Sequence, residues 1–309
     1  MSLGLCCQWI EPRTKRDGSV VYENVIDEKL LQLGAYKNGK YSTERILETY
    51  RHNVKEILRT IPYLVRHNIK SFRLSSTIFP LYEFCGEIAR GDAIIQQDLA
   101  IAGRLFREHN IRVTCHPGQF CVISSDKQKV IDNSIKELEY HAYLFDAMGF
   151  PNTTYYAINI HGGKAKRSEK IIEVYKSLPE NVRGRLTLEN DEKCYNVRSL
   201  LDISEHTNIP VVLDTHHYTF GVDDLKLADA ITATMATWRN IKPLQHLSNT
   251  EVGMEHAAYN QKRAHSQMIR YIPEEQLNLM MDDAVDVDIE AKLKNIALLK
   301  IRSDFGIKC

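Results

Sequence analysis

Eight short apolar runs punctuate the chain, at residues 3–9 (LGLCCQW), 71–75 (SFRLS), 112–116 (RVTCH), 155–161 (YYAINIH), 185–190 (RLTLEN), 211–214 (VVLD), 244–248 (LQHLS) and 285–291 (VDVDIEA). Most are rich in β-branched or aromatic residues, which favours strands. The stretches between them carry helical periodicity. In residues 42–67, Ile46, Tyr50, Val54, Ile57, Leu58 and Ile61 recur at steps of three or four, with Ser42 or Thr43 placed to cap the start. Residues 134–148 (SIKELEYHAYLFDAM) read the same way. Strand and helix alternating eight times predict a parallel α/β protein. That rhythm fits a single (β/α)8 barrel spanning 1–309 better than a doubly wound sheet. No linker or low-complexity segment interrupts it, and residues 249–284 read as an elaborated loop plus a helix.

Charge narrows the function classes. Forty basic and forty acidic side chains give a formal net charge of zero, which argues against a generic nucleic-acid coat but permits a locally basic cleft. Seven scattered cysteines without CxxC spacing predict reduced thiols rather than a disulfide scaffold or zinc ribbon. The opening MSLGLCCQWIEPR has no leader character, and no apolar run approaches the ~20 residues of a membrane helix. The expectation is a soluble, cytoplasmic protein that engages no membrane.

The ends of the predicted strands carry the chemistry. They deliver His116, His161, Glu189, Asp214, His246 and Glu290, with His217 three residues beyond Asp214. In a barrel these ends share one face, where active sites form. Each residue alone reads more economically as a hydrogen-bonded histidine or a helix cap. Together, carboxylates and imidazoles at one mouth repel or strain one another unless cations bind between them. Mixed imidazole and carboxylate ligands suit Zn, Mn or Fe better than Ca or Mg, and the ligand count exceeds what one ion needs. Two or three divalent ions are expected. Strand alternation would turn His216 away from the mouth, and nothing local marks His265. The third strand runs into TCHPGQF (114–120), where Pro117 ends the ladder and Gly118 turns the chain toward Gln119 and Phe120.

HPGQF (116–120), NIHGG (159–163), LEND (188–191), VVLDTHHY (211–218), RAHS (263–266) and IEAK (289–292), in that order, resemble the motifs of the UV damage endonucleases. The resemblance runs from about residue 2 to 300. It implies a TIM barrel akin to apurinic-site endonucleases and xylose isomerases. It also implies a manganese-favouring centre that nicks DNA immediately 5′ of a photolesion, leaving a 3′-hydroxyl and a 5′-phosphate. Carried over by motif, the ligands are His116, His161, Glu189, Asp214, His217, His246, His265 and Glu290. Gln119 and Phe120 would enter the duplex at the damage. Two departures stand out: Leu244 lies where some members have a modified lysine, and CCQW follows Leu5 where members often have a tyrosine, which makes Gln8 and Trp9 substitute lesion contacts.

On this reading Glu189 and Glu290 bridge ions and act in catalysis, and Lys292 touches the phosphate. KAKR (164–167), Arg13, Lys15, Arg16, Lys262 and Arg263 are candidates to grip the backbone. The partner is double-stranded DNA carrying lesions, met by a monomer of prokaryotic, archaeal or viral source. Zn²⁺ is the alternative to Mn²⁺. The alternative function is a metal-dependent sugar isomerase or epimerase on the same barrel, which explains the ligands but not an exposed Gln-Phe pair.

Overall fold

The computed structural model describes residues 2–221 and 225–307. Its strands are β1 (Ser2–Cys6), β2 (Ile10–Thr14), β3 (Val20–Asn24), β4 (Ser71–Leu74), β5 (Arg112–Cys115), β6 (Ile158–His161), β7 (Leu186–Glu189), β8 (Val211–Asp214), β9 (Leu244–Leu247) and β10 (Asp286–Ile289). Eight of them, β1 and β4 to β10, close into a parallel barrel, β10 pairing back to β1. The eight apolar runs are these eight strands. Their burial on both faces explains why the runs are continuous rather than alternating: the interior fills one face and the helices cover the other.

Helices pack outside the barrel as the periodicity predicts. Thr43–Arg66 begins where Ser42 Oγ accepts the Arg45 N–H at 3.2 Å, and it buries Ile46, Tyr50, Val54, Ile57 and Ile61. Gln128–Ala147 starts six residues before the expected 134. The segment from 249 to 284 is a long loop carrying the short helix Tyr259–Lys262, followed by the helix Glu274–Met281. Among the described residues, no helix is long and apolar enough to cross a membrane. Cys6, Cys85, Cys115 and Cys121 are buried free thiols, as the scattered spacing implied.

Two polar layers order the barrel interior. Near the strand starts, the fully buried Arg112 pairs with Asp286 at 3.0 Å and donates to the carbonyls of Tyr155 and Lys242. One layer up, Asp288 accepts from Ser71 at 3.3 Å and Thr114 at 3.2 Å. Gly4 makes room for it, since a Cβ there would lie 1.9 Å from the Asp288 Oδ1. Leu244 is buried against Ala157, Val212 and Trp238.

The pattern did not foresee β2 and β3, an antiparallel hairpin inserted after β1. Its turn uses Gly18 at φ +82°, a left-handed conformation that glycine adopts without strain.

Candidate active site

The register of the barrel assembles the site. His161 lies beside Glu189 on β6 and β7, and Asp214 beside His246 on β8 and β9. Glu189 is the hub. Its Oε2 is 2.9 Å from His116 Nε2, and its Oε1 is 3.0 Å from His246 Nδ1. Asn159 donates to Oε2 at 2.5 Å and is itself held by Thr187 Oγ1 at 2.9 Å. Three groups of ligand atoms, each within 4.8 Å, share this carboxylate: His116 with His161, Asp214 with His217, and His246 with Glu290.

Several of the expected ligands are fixed by local structure. Asp214 caps the short helix Thr215–Phe220, its Oδ1 accepting the His217 N–H at 2.7 Å. Its Oδ2 is buried with no hydrogen-bond partner among the described residues, as is His161 Nδ1. His116 Nδ1 sits 2.9 Å from the Pro117 carbonyl, which turns Nε2 toward Glu189. His265 enters from the long loop, with Nε2 3.3 Å from Glu290 Oε2. The structure thus gathers seven of the eight proposed ligands into the three groups and sets the eighth beside Glu290.

Electrostatics show what this arrangement demands. Burial opposes ionisation of Glu189, yet His246, His161 and the contact from His116 outweigh it and hold its carboxyl well below the usual range. Glu290 is likewise held down, burial being overcome by Arg73 and His246. Burial opposes a charge on His217, but Asp214, Glu192 and Glu189 push its pKa up to about 10. For His246, Glu189 and Glu290 do the same, to about 9. His161, which burial dominates, is shifted down and stays neutral. Ionised carboxylates, orphaned donor atoms and converging imidazoles are a donor set that fits divalent cations.

Three residues at the site had no signal in the pattern. Arg73 on β4 is buried with Nη1 2.5 Å from Glu290 Oε1, filling the side of the mouth where β1 and β4 bring no ligand. Asn159 positions Glu189, as described. Glu192 touches His217 and Arg263. Asn159 and Glu192 lie away from the strand ends, the feature that marked the others, and Arg73, placed in β4 as His246 is in β9, is not a ligand type. His216 does turn aside, its Nε2 3.2 Å from the Arg263 carbonyl.

The loop after His116 divides its two expected probes. Gln119 lines a cleft of about 500 Å³ shared with His116, His161 and His217. Phe120 is 84% exposed and edges a second cavity of about 550 Å³ walled by Phe79, Tyr82 and Tyr140. Gln8 is half-buried two residues past the end of β1. Trp9 departs from expectation. Its ring is buried and stacks on Tyr63 at 4.0 Å, so packing already occupies the face a base would need. Lys292 is exposed two residues past Glu290, its N–H donating to the Ser266 carbonyl. Of the expected backbone grips, Lys164 and Arg167 both pair with Asp126, Arg13 with Glu23 and Arg263 with Glu192.

Comparison with known proteins now decides the family. The family model for UV-endonuclease UvdE matches residues 20–307. The chain belongs to the UV damage endonuclease family. Curated relatives named UV DNA damage endonuclease agree. The one from Nostoc sp. is 35% identical over 83% of this chain and 78% of its own. The one from Deinococcus radiodurans is 31% identical over 84% of this chain and 85% of its own. Among solved structures, SacUVDE matches across the full length of both chains with a TM-score of 0.81 at 27% identity. An Escherichia coli 3-keto-D-glucoside 4-epimerase reaches a TM-score of 0.54 at 10% identity, over 80% of this chain and 94% of its own, which reflects the barrel alone. A DNA repair endonuclease of the UV damage family on a TIM barrel is therefore the identity the sequence motifs implied.

Proposed function

We propose that this protein nicks duplex DNA immediately 5′ of UV photolesions by divalent-metal-assisted hydrolysis, leaving a 3′-hydroxyl and a 5′-phosphate. The observation that carries the proposal is the convergence of three ligand groups on one buried carboxylate, Glu189, in a chain of this family. Mn²⁺ in two or three positions matches the mixed imidazole and carboxylate donors, with Zn²⁺ as the alternative. Bound ions would polarise a water and neutralise charge on the phosphate.

The chain's own residues do the rest. Glu189, buried and hydrogen-bonded by Asn159, presents both oxygens in fixed directions to the three groups. Glu290 joins His246 and His265 on the far side, and Arg73 fixes its Oε1, the oxygen that faces His246. Lys292, exposed just beyond Glu290, is placed to meet a phosphate. Gln119, at the cleft beside the ligands, reads base edges. The exposed ring of Phe120 fills the gap left by a disrupted pair, since a poorly stacked lesion costs little to open. The sugar epimerase reading loses its support, because the likeness to those enzymes extends only to the fold.

The test is incubation of Mn²⁺-loaded protein with irradiated and unirradiated duplexes, with the nick mapped to single-nucleotide resolution. Cutting directly 5′ of a pyrimidine dimer is expected. Equal cutting of both duplexes, or turnover of a ketose, would overturn the proposal.

A further inference from the structure

The geometry points to Glu192 as a positioning residue that sets the ring of His217 for metal binding and ties it to the loop delivering His265. The inference rests on the proposed role of His217 as a ligand. Glu192 leaves 2% of its side chain exposed, and each oxygen lies within ion-pair distance of a nitrogen. Oε2 lies 2.7 Å from His217 Nδ1, and Oε1 lies 2.6 Å from Arg263 Nη1. An imidazole carries its two nitrogens on different edges of the ring. With Nδ1 facing Glu192, Nε2 is the nitrogen left to join Asp214 and Glu189.

Local structure makes Glu192 a dependable anchor. It sits in the loop that follows β7, and the neighbouring Asp191 accepts the backbone N–H of Lys193 at 2.8 Å and of Cys194 at 2.5 Å. The Asp191 N–H closes the turn on the Tyr195 carbonyl at 2.9 Å. That turn holds Glu192 directed into the site. Across from it, His217 is pinned by the Asp214 cap, so the carboxylate and the imidazole meet from two rigid supports.

Arg263 extends the chain outward. Its carbonyl faces His216 Nε2 at 3.2 Å while its guanidinium holds Glu192, so one residue fastens the long loop both to the short helix Thr215–Phe220 and to the loop after β7. Two residues on, His265 faces Glu290. The path Arg263–Glu192–His217 thereby links the loop that brings the most exposed ligand to the hub of the centre. A carboxylate at the far nitrogen of a metal-bound imidazole fixes the ring and raises its basicity, and removing it typically costs 10–100-fold in metal affinity or activity.

The experiment compares wild type with E192Q, E192D and R263Q. Mn²⁺ affinity and stoichiometry are read by equilibrium dialysis with electron paramagnetic resonance of free Mn²⁺. Values of kcat and KM are read on UV-irradiated duplex. E192Q is expected to bind one ion roughly 10–100-fold more weakly, with kcat lowered, KM for DNA unchanged, and activity restored by excess Mn²⁺. E192D, which keeps the charge, should lie closer to wild type and serves if the amide variant misfolds. R263Q should lose less Mn²⁺ affinity than E192Q, because it loosens the loop and spares the contact with His217. Wild-type Mn²⁺ affinity in E192Q would overturn the inference, as would an equal loss in R263Q, which would place the effect in the loop. Failure of the underlying reading is separately visible, since wild type itself would then bind no Mn²⁺.

Discussion

Phe120 and Glu189 show how differently single residues announce their roles. Phe120 is a large apolar side chain left 84% exposed on the turn after a candidate ligand, an arrangement that gains nothing for folding. Stacking on a base is worth ~1–3 kcal/mol, so Phe120→Ala should lower affinity for damaged duplex by roughly tenfold. Phe120→Tyr should be mild, and metal content should match wild type in both variants. A fixed-salt binding assay on paired damaged and undamaged duplexes checks this, and undiminished preference for damage in Phe120→Ala would exclude a wedge. Glu189 is the opposite case, fully buried and shared by all three groups. Glu189→Ala should abolish nicking and reduce the ions counted by elemental analysis, while circular dichroism stays that of the barrel. The proposed ligands were legible because strand ends in a barrel converge, so position alone marked His116, His161, Glu189, Asp214, His246 and Glu290. Arg73 and Glu192 were not, for reasons of pattern. An arginine within an apolar strand and a glutamate in a charged loop read as ordinary until their partners are seen in space. Trp9 was proposed on its place after the first strand, where family members often have a tyrosine, and that place said nothing of the Tyr63 ring it stacks on.

At the scale of elements, the same contrast separates barrel from hairpin. Strands buried on both faces leave continuous apolar runs, and each of the eight was read within a few residues of its bounds. The strands β2 and β3 left no such run. Their exposed positions carry Glu11, Arg13, Glu23 and Asn24, and Pro12 argues against a strand, so only the Asp17-Gly18 pair hinted at a turn. Within the barrel, β1 approaches β10 closely because Gly4 has no side chain to meet Asp288. Gly4→Ala would press a methyl group onto that carboxylate and disturb the hydrogen bonds from Ser71 and Thr114. Overpacking of this kind costs typically ~1–3 kcal/mol, measurable as a lower midpoint in urea unfolding. Because Asp288 Oδ2 lies 3.8 Å from His246 Nε2, Mn²⁺ affinity should fall as well. An unchanged midpoint would mean that β1 and β10 can part without loss.

For the molecule as a whole, zero net charge conceals a concentrated field at the barrel mouth, and pH should expose it. In the metal-free protein His217 and His246 are held as cations among carboxylates, with pKa values near 10 and 9 against an ordinary 6.5. A group whose pKa rises on folding stabilises the folded chain fully below its unfolded value, and that contribution fades as pH climbs through the folded value. These two histidines therefore support the metal-free fold up to about pH 6.5 and progressively less toward pH 9 and 10. Glu192 works in the other sense. Its contact with His217 lowers its pKa from 4.5 to about 2, so its contribution is present above 4.5 and disappears as pH falls toward 2. Metal-free protein should thus be most stable between about pH 4.5 and 6.5 as far as these groups decide it. Metal ligands must be deprotonated, so Mn²⁺ has to displace the two imidazole protons and binds better as pH rises. Added Mn²⁺ should raise the thermal midpoint only slightly at pH 6 and by a growing increment through pH 7 and 8, while the metal-free midpoint declines over the same range. Thermal unfolding at each pH, with EDTA or with Mn²⁺, measures both curves. A Mn²⁺ increment that is flat or shrinks as pH rises would show that His217 and His246 do not give up protons to an ion.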